Sequence, residues 1–118
     1  MMERHIKKPW GSEEILEANP SYVVKLIKIK KGKKLSEQYH IYKHETIYVL
    51  KGDLELFIKE PSSLDPIGIT HELKVGDSFV IPNRTIHRFI ATKDCILLEC
   101  STPELWDVVR LEDDYGRS

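Results

Sequence analysis

A chain of 118 residues, 41% hydrophobic and 31% charged, has apolar material for one core and is expected to form a single domain over residues 1–118. Eighteen Lys plus Arg against nineteen Asp plus Glu leave a formal charge of −1, which excludes the broad cationic field of a nucleic-acid binder and directs attention to a local site. The first ten residues lack the apolar stretch of a signal peptide, and no apolar run approaches the ~20 residues of a membrane span, so neither a membrane nor a nucleic acid is expected as a partner and the expected compartment is the cytoplasm.

Short runs rich in Ile, Val, Leu, Tyr and Phe succeed one another along the chain. Strands are expected at 22–29, 46–50, 53–59, 67–73, 78–81, 85–91 and 95–101. Turn chemistry lies between them at Lys31-Gly32, Lys51-Gly52-Asp53, Val75-Gly76-Asp77 and Pro82-Asn83. In 53–59 the alternation is clearest: Leu54, Leu56 and Ile58 share one face, and Asp53, Glu55 and Lys59 the other. Cys95 and Cys100 are five apart in one expected strand, hence on opposite faces and unable to pair with each other. The one helical candidate comes near the end, where Thr102-Pro103-Glu104 would cap a turn leading into Leu105, Trp106, Val108 and Val109. Strands at this spacing give an all-β plan of antiparallel hairpins closing a barrel or sandwich.

Polar residues capable of holding a metal sit at matched parity in this plan. Gln38 and His40 are two apart and point to the same side of a strand, and Glu45 follows after a connection short enough to return to that side. His87, opening a later strand, offers a fourth donor. Any one such histidine would ordinarily be a hydrogen-bonded barrel residue, but four donors at convergent positions point to one divalent cation. Two imidazoles, a carboxylate and an amide oxygen suit Zn, Mn, Fe, Co or Ni, with room left for water or substrate.

The stretch Gly32 to Gly52 and the stretch Gly76 to Ala91 resemble the paired motifs of the cupin superfamily, G-x5-H-x-H-x4-E-x6-G and G-x5-P-x-G-x2-H-x3-N, with every spacing preserved. Three positions depart: Gln38 stands for the first histidine, Arg84 for a glycine and Ala91 for the asparagine. The resemblance implies a single small cupin barrel, a double-stranded β-helix or jelly roll, with Gln38, His40, Glu45 and His87 as ligands. Pro9-Trp10-Gly11, Leu35-Ser36 ahead of Gln38 and His40, the segment from Ile81 to Arg88, and the tail from Val108 to Arg117 narrow it further. Together they resemble the cupin domain of type II mannose-6-phosphate isomerases, in a stand-alone version without the guanylyltransferase domain that often precedes it. A homodimer is implied too, and the apolar residues on both faces of 22–29 agree with it.

What the resemblance implies is an aldose–ketose isomerase acting on a sugar phosphate. A metal-bound hydroxide, Lys43, His44 and Glu99 are the candidate proton carriers, and Lys43, Arg84 and Arg88 the candidate phosphate-binding residues. Lys43 has the parity of the metal side, whereas His44 needs a bulge or turn to reach it, and Arg88 alternates with His87. A run of histidines followed by Arg, common in that group, is His40-Ile41-Tyr42-Lys43 here, and residues 60–71 read as an extended insertion. Two other readings use the same residues: a metal- and sugar-binding module without turnover, and an Fe(II) oxygenase built on His40, Glu45 and His87.

Overall fold

The computed structural model describes residues 4–59 and 68–116. Its strands are β1 (His5–Lys8), β2 (Gly11–Ala18), β3 (Val23–Ile29), β4 (Glu37–Tyr39), β5 (Glu45–Lys51) and β6 (Asp53–Lys59), followed by β7 (Ile69–Lys74), β8 (Ser78–Ile81), β9 (Ile86–Ala91), β10 (Cys95–Ser101) and β11 (Val109–Glu112). Six strands form one sheet in the order β1-β2-β3-β10-β5-β8, and five form the other in the order β11-β4-β9-β6-β7. Every pairing is antiparallel, and the two sheets enclose one core, as the all-β jelly-roll expectation required.

Alternation along the strands decides what the interior contains. Ile27, Val49 and Leu97 on the six-stranded sheet meet Leu54, Leu56 and Phe89 from the other, all buried. Two residues further along β10 the inward position passes from Leu97 to Glu99, and along β3 from Ile27 to Lys25, with Glu99 and Lys25 opposite each other. On β5 it passes from Val49 and Ile47 to Glu45. One end of the interior is therefore apolar and the other lined with charge, a division that positions the site.

At the β5–β6 turn, Gly52 has φ of 87°, and a Cβ there would lie 2.2 Å from the Asp94 carbonyl oxygen. Glycine satisfies both constraints. Arg84 adopts φ of 64° at the position where the related motif has glycine, while its N–H donates to the His40 carbonyl at 2.6 Å.

Several expectations need correction. Residues 102–108 form turns and extended chain rather than a helix, and 109–112 pair with β4 instead. The ladder to β4, together with the capping role of Asp107 described below, supplies hydrogen-bond partners that a short helix could not match. Strands β1 and β2 were not expected, because Gly11–Ala18 is rich in Glu and its burial shows no clear two-residue period. Trp10 is buried in the core and Trp106 is 76% exposed, so only the former lines the interior. Cys95 is buried and Cys100 exposed, both free, as their parity required. The start of the expected strand 67–73 and most of the insertion 60–71 lie outside the described residues. Among the described residues no helix is long and apolar enough to cross a membrane.

Candidate metal centre

Four strand ends converge at the charged end of the interior. Gln38 is the middle residue of β4, His40 follows that strand directly, Glu45 opens β5 and His87 is the second residue of β9. Gln38 and His87 are opposite each other across the β4–β9 pair, and both line the cavity that holds His40 and Glu45.

The donor atoms of His40, Glu45 and His87 all lie within 4.8 Å of one another. The Nε2 atoms of His40 and His87 approach Glu45 Oε1 at 3.5 and 3.4 Å. Each ring is oriented from behind: His40 Nδ1 hydrogen-bonds the Asp107 carbonyl, and His87 Nδ1 the Thr85 carbonyl at 2.9 Å. A carbonyl only accepts, so each Nδ1 carries the proton and each Nε2 turns a lone pair toward Glu45. Glu45 Oε1 is itself buried without a hydrogen-bond partner. Three acceptors facing one another in a dry pocket are unfavourable unless a cation lies among them. This donor set, with histidines anchored through their second nitrogens, fits a divalent metal.

A second charged pair lies beside the triad. Lys43 Nζ is 2.7 Å from Glu99 Oε1 and 3.8 Å from Glu45 Oε2, with all three residues buried. Burial alone would lower the Lys43 pKa, but Glu99 and Glu45 outweigh it and hold the ammonium above its usual range. Burial and then the neighbouring Glu45 charge push the Glu99 carboxyl up to about 7, against the pull of Lys43. Burial would also raise Glu45, yet a hydrogen bond from Glu99, together with the Lys43 ammonium, keeps it well below the ordinary carboxylate value. Burial lowers His87, favouring the neutral ring that a metal requires. Beyond this pair, Lys25 sits 3.5 Å from Glu13, and Lys8 and Arg110 complete the cationic lining.

The structure brings Gln38, His40, Lys43, Glu45, His87 and Glu99 into one cavity. It does not bring three other candidates there. His44 is exposed in an outer groove with Tyr22, Val24 and Cys100, because it alternates with the inward Glu45 and no bulge intervenes. Arg84 is exposed in a separate groove with Tyr39, Ile41 and Ile86. Arg88 is buried as a tether, with Nε donating to the Leu35 carbonyl at 2.8 Å and an Nη2 contact to Asp114 at 2.7 Å. Lys8, Lys25 and Arg110 line the cavity that Arg84 and Arg88 do not reach. Sequence reading also passed over Ser36, whose Oγ is buried without a partner in the cavity wall, and Asp107. Ser36 shares the parity of Gln38 and His40, which was the available signal; Asp107 had none, because its partners are 64 to 67 residues away.

The profile of the family described as "Mannose-6-phosphate isomerase C-terminal" matches residues 1–113. Mannose-1-phosphate guanylyltransferase ManC of Salmonella typhimurium is 32% identical over 124 residues, covering 98% of this chain and 24% of that protein. The chain thus spans about a quarter of the length of the curated relatives it matches first. Among solved structures, KdgF from Halomonas sp. superposes with a TM-score of 0.72 at 22% identity, over 82% of this chain and 83% of that one. Bacillus subtilis oxalate decarboxylase, studied for its Mn(II) centres, superposes with a TM-score of 0.77 at 17% identity, over 92% of this chain and 30% of that one. These likenesses establish the shared double-stranded β-helix, and the family match is specific: the chain belongs to the mannose-6-phosphate isomerase C-terminal family of cupins.

Proposed function

We propose that the chain is a metal-dependent aldose–ketose isomerase domain acting on a sugar phosphate of the mannose 6-phosphate type. The observation that carries this reading is the buried Lys43–Glu99 pair set directly against the His40, Glu45 and His87 triad in one cavity. Family membership supports it.

Isomerisation moves one proton from C2 to C1 and a second from the C2 hydroxyl to the carbonyl oxygen on C1. Held by Gln38, His40, Glu45 and His87, a divalent metal would supply polarisation of those two oxygens. Glu99, whose carboxyl burial and the Glu45 charge push up to about 7, is the carboxyl suited to carry the carbon-bound proton, since Glu45 is committed to the triad. It takes the proton from C2 and returns it at C1. Lys43, held 2.7 Å from Glu99, keeps a positive charge and a donor beside the oxygens while negative charge develops on them. Lys8, Lys25 and Arg110 lie along the same wall, which supports an anionic substrate. Leu35, Phe89 and Leu105 add apolar surface to the lining of the same cavity.

The test is incubation of metal-loaded protein with hexose and pentose phosphates in deuterium oxide without dioxygen, followed by NMR. Interconversion of mannose 6-phosphate and fructose 6-phosphate with deuterium entering at C2 is expected, and Glu99→Gln should abolish the exchange. A dioxygen requirement would favour an oxygenase. Absence of exchange with every sugar phosphate would sink the isomerase and leave a sugar-binding module.

A further inference from the structure

We propose that Asp107 is a positioning residue for the metal centre, holding the ligand His40 and the neighbouring Lys43 in place from a single point on the C-terminal segment. The inference rests on the metal-centre reading above. Asp107 is 4% exposed. Its Oδ1 accepts the Ile41 N–H at 3.1 Å, and its Oδ2 accepts those of Tyr42 at 2.6 Å and Lys43 at 2.9 Å. Its own backbone carbonyl accepts a hydrogen bond from His40 Nδ1–H.

Three successive N–H groups of the turn between β4 and β5 thus find their acceptor in one carboxylate, much as a helix N-terminus finds its cap. The two kinds of bond act on the same turn from the same residue. With Nδ1 engaged, His40 presents Nε2 to Glu45 at 3.5 Å, and with its backbone fixed, Lys43 reaches Glu99 at 2.7 Å. Leu105 and Val108, flanking Asp107, line the same cavity, so the wall of the site and its ligand are fastened together. The carboxylate pins the turn that follows His40, and so keeps the ring where the backbone carbonyl of the same residue accepts its Nδ1–H.

The experiment compares Mn(II) and Co(II) affinity of the full chain with that of Asp107→Ala and Asp107→Asn. Asp107→Ala keeps the backbone carbonyl but frees the turn that sets its distance from the His40 ring, and disturbing an outer partner in this way is expected to weaken metal affinity roughly 10-fold. Asp107→Asn should lose less, because one amide oxygen can still serve Tyr42 and Lys43. Asp77→Ala is the control: it removes a carboxylate that accepts the Lys74 N–H at 2.8 Å in a remote turn, and should leave metal affinity unchanged. In the metal-free protein, nitrogen-15 shifts should report His40 as the Nδ1–H tautomer, and a tautomer mixture in the Asp107 variants. If the unmutated chain bound neither ion, the metal-centre reading would fall, while the His40 tautomer would still decide the role of Asp107. Folded Asp107 variants with unchanged tautomer and unchanged affinity overturn the proposal. If Asp107→Ala does not fold, Asp107→Asn carries the same test.

Discussion

At the scale of single residues, the site is defined as much by what is left unbonded as by what is bonded. Glu45 Oε1 and Ser36 Oγ are buried polar atoms of the same cavity with no hydrogen-bond partner. The first faces two imidazole nitrogens and fits a cation. The second, 1% exposed and on the inward parity of Gln38 and His40, is placed to bond a ligand oxygen. Removing it breaks no hydrogen bond within the protein, so Ser36→Ala is expected to leave stability unchanged within about 0.5 kcal/mol. If Ser36 contacts substrate, KM should rise about fivefold with kcat little altered, the signature of a lost neutral hydrogen bond. A thermal melt and steady-state kinetics on one preparation decide it; a stability loss with unchanged KM would make Ser36 a structural residue. Much at this scale was legible in the sequence. Parity placed Gln38 with His40, and the spacing to Glu45 and His87 completed the set, whereas the bulge that would have carried the candidate His44 inward does not form. What escaped was Asp107, whose bonds run to residues 64 to 67 positions away, and the cationic residues Lys8 and Arg110 on strands that sequence patterning did not reveal.

At the scale of elements, local pattern succeeded where one face is dry and failed where both faces are mixed. Strand β6 follows its apolar alternation, and β10 shows the same period from Cys95 through Leu97. Strand β2 does not, because its most exposed residues are Leu16 and Glu17, its register shifts between Ile15 and Glu17, and Glu13 is held inward by Lys25. The C-terminal segment looked helical because Leu105, Trp106, Val108 and Val109 have helical spacing. Yet Trp106 is exposed and Val109 pairs with Tyr39 in the β11–β4 ladder. Turns were more readable, and Gly52 shows why. A side chain there meets both the positive φ and the Asp94 carbonyl 2.2 Å from its Cβ. Gly52→Ala is therefore expected to cost about 2–3 kcal/mol, from left-handed strain plus displacement of backbone. For a domain of this size the melting temperature should fall by roughly 10 °C. A calorimetric melt that moves by less than a third of that would show that the β5–β6 turn relaxes at little cost.

For the whole molecule, the unbalanced surface is the outer face of the six-stranded sheet. Val24, Cys100, Thr46 and Val80 are successive cross-strand neighbours on β3, β10, β5 and β8, and Leu26, Leu98 and Tyr48 form the next row. Neither row contains a charge, and Tyr48 and Val80 are exposed, with Leu50 and Tyr22 exposed nearby. Contiguous apolar surface of this kind is unusual on a monomer. We propose that a second copy of the chain covers it, since an uncharged apolar patch can pair with its own copy under two-fold symmetry. Light scattering at micromolar concentration should give twice the chain mass, and Tyr48→Lys, which places like charges across the axis, should give the single mass. The two cysteines report the same event independently. Cys100 is exposed and faces outward within the first row, whereas Cys95 is buried, donates to the Asp53 carbonyl at 2.8 Å and has its thiol pKa pushed up by burial. A thiol reagent should therefore modify Cys100 quickly in dilute solution and slowly at concentrations where the dimer forms, with Cys95 slow in both. Equal Cys100 rates across that range, together with a monomeric mass, would show that the face is open to solvent.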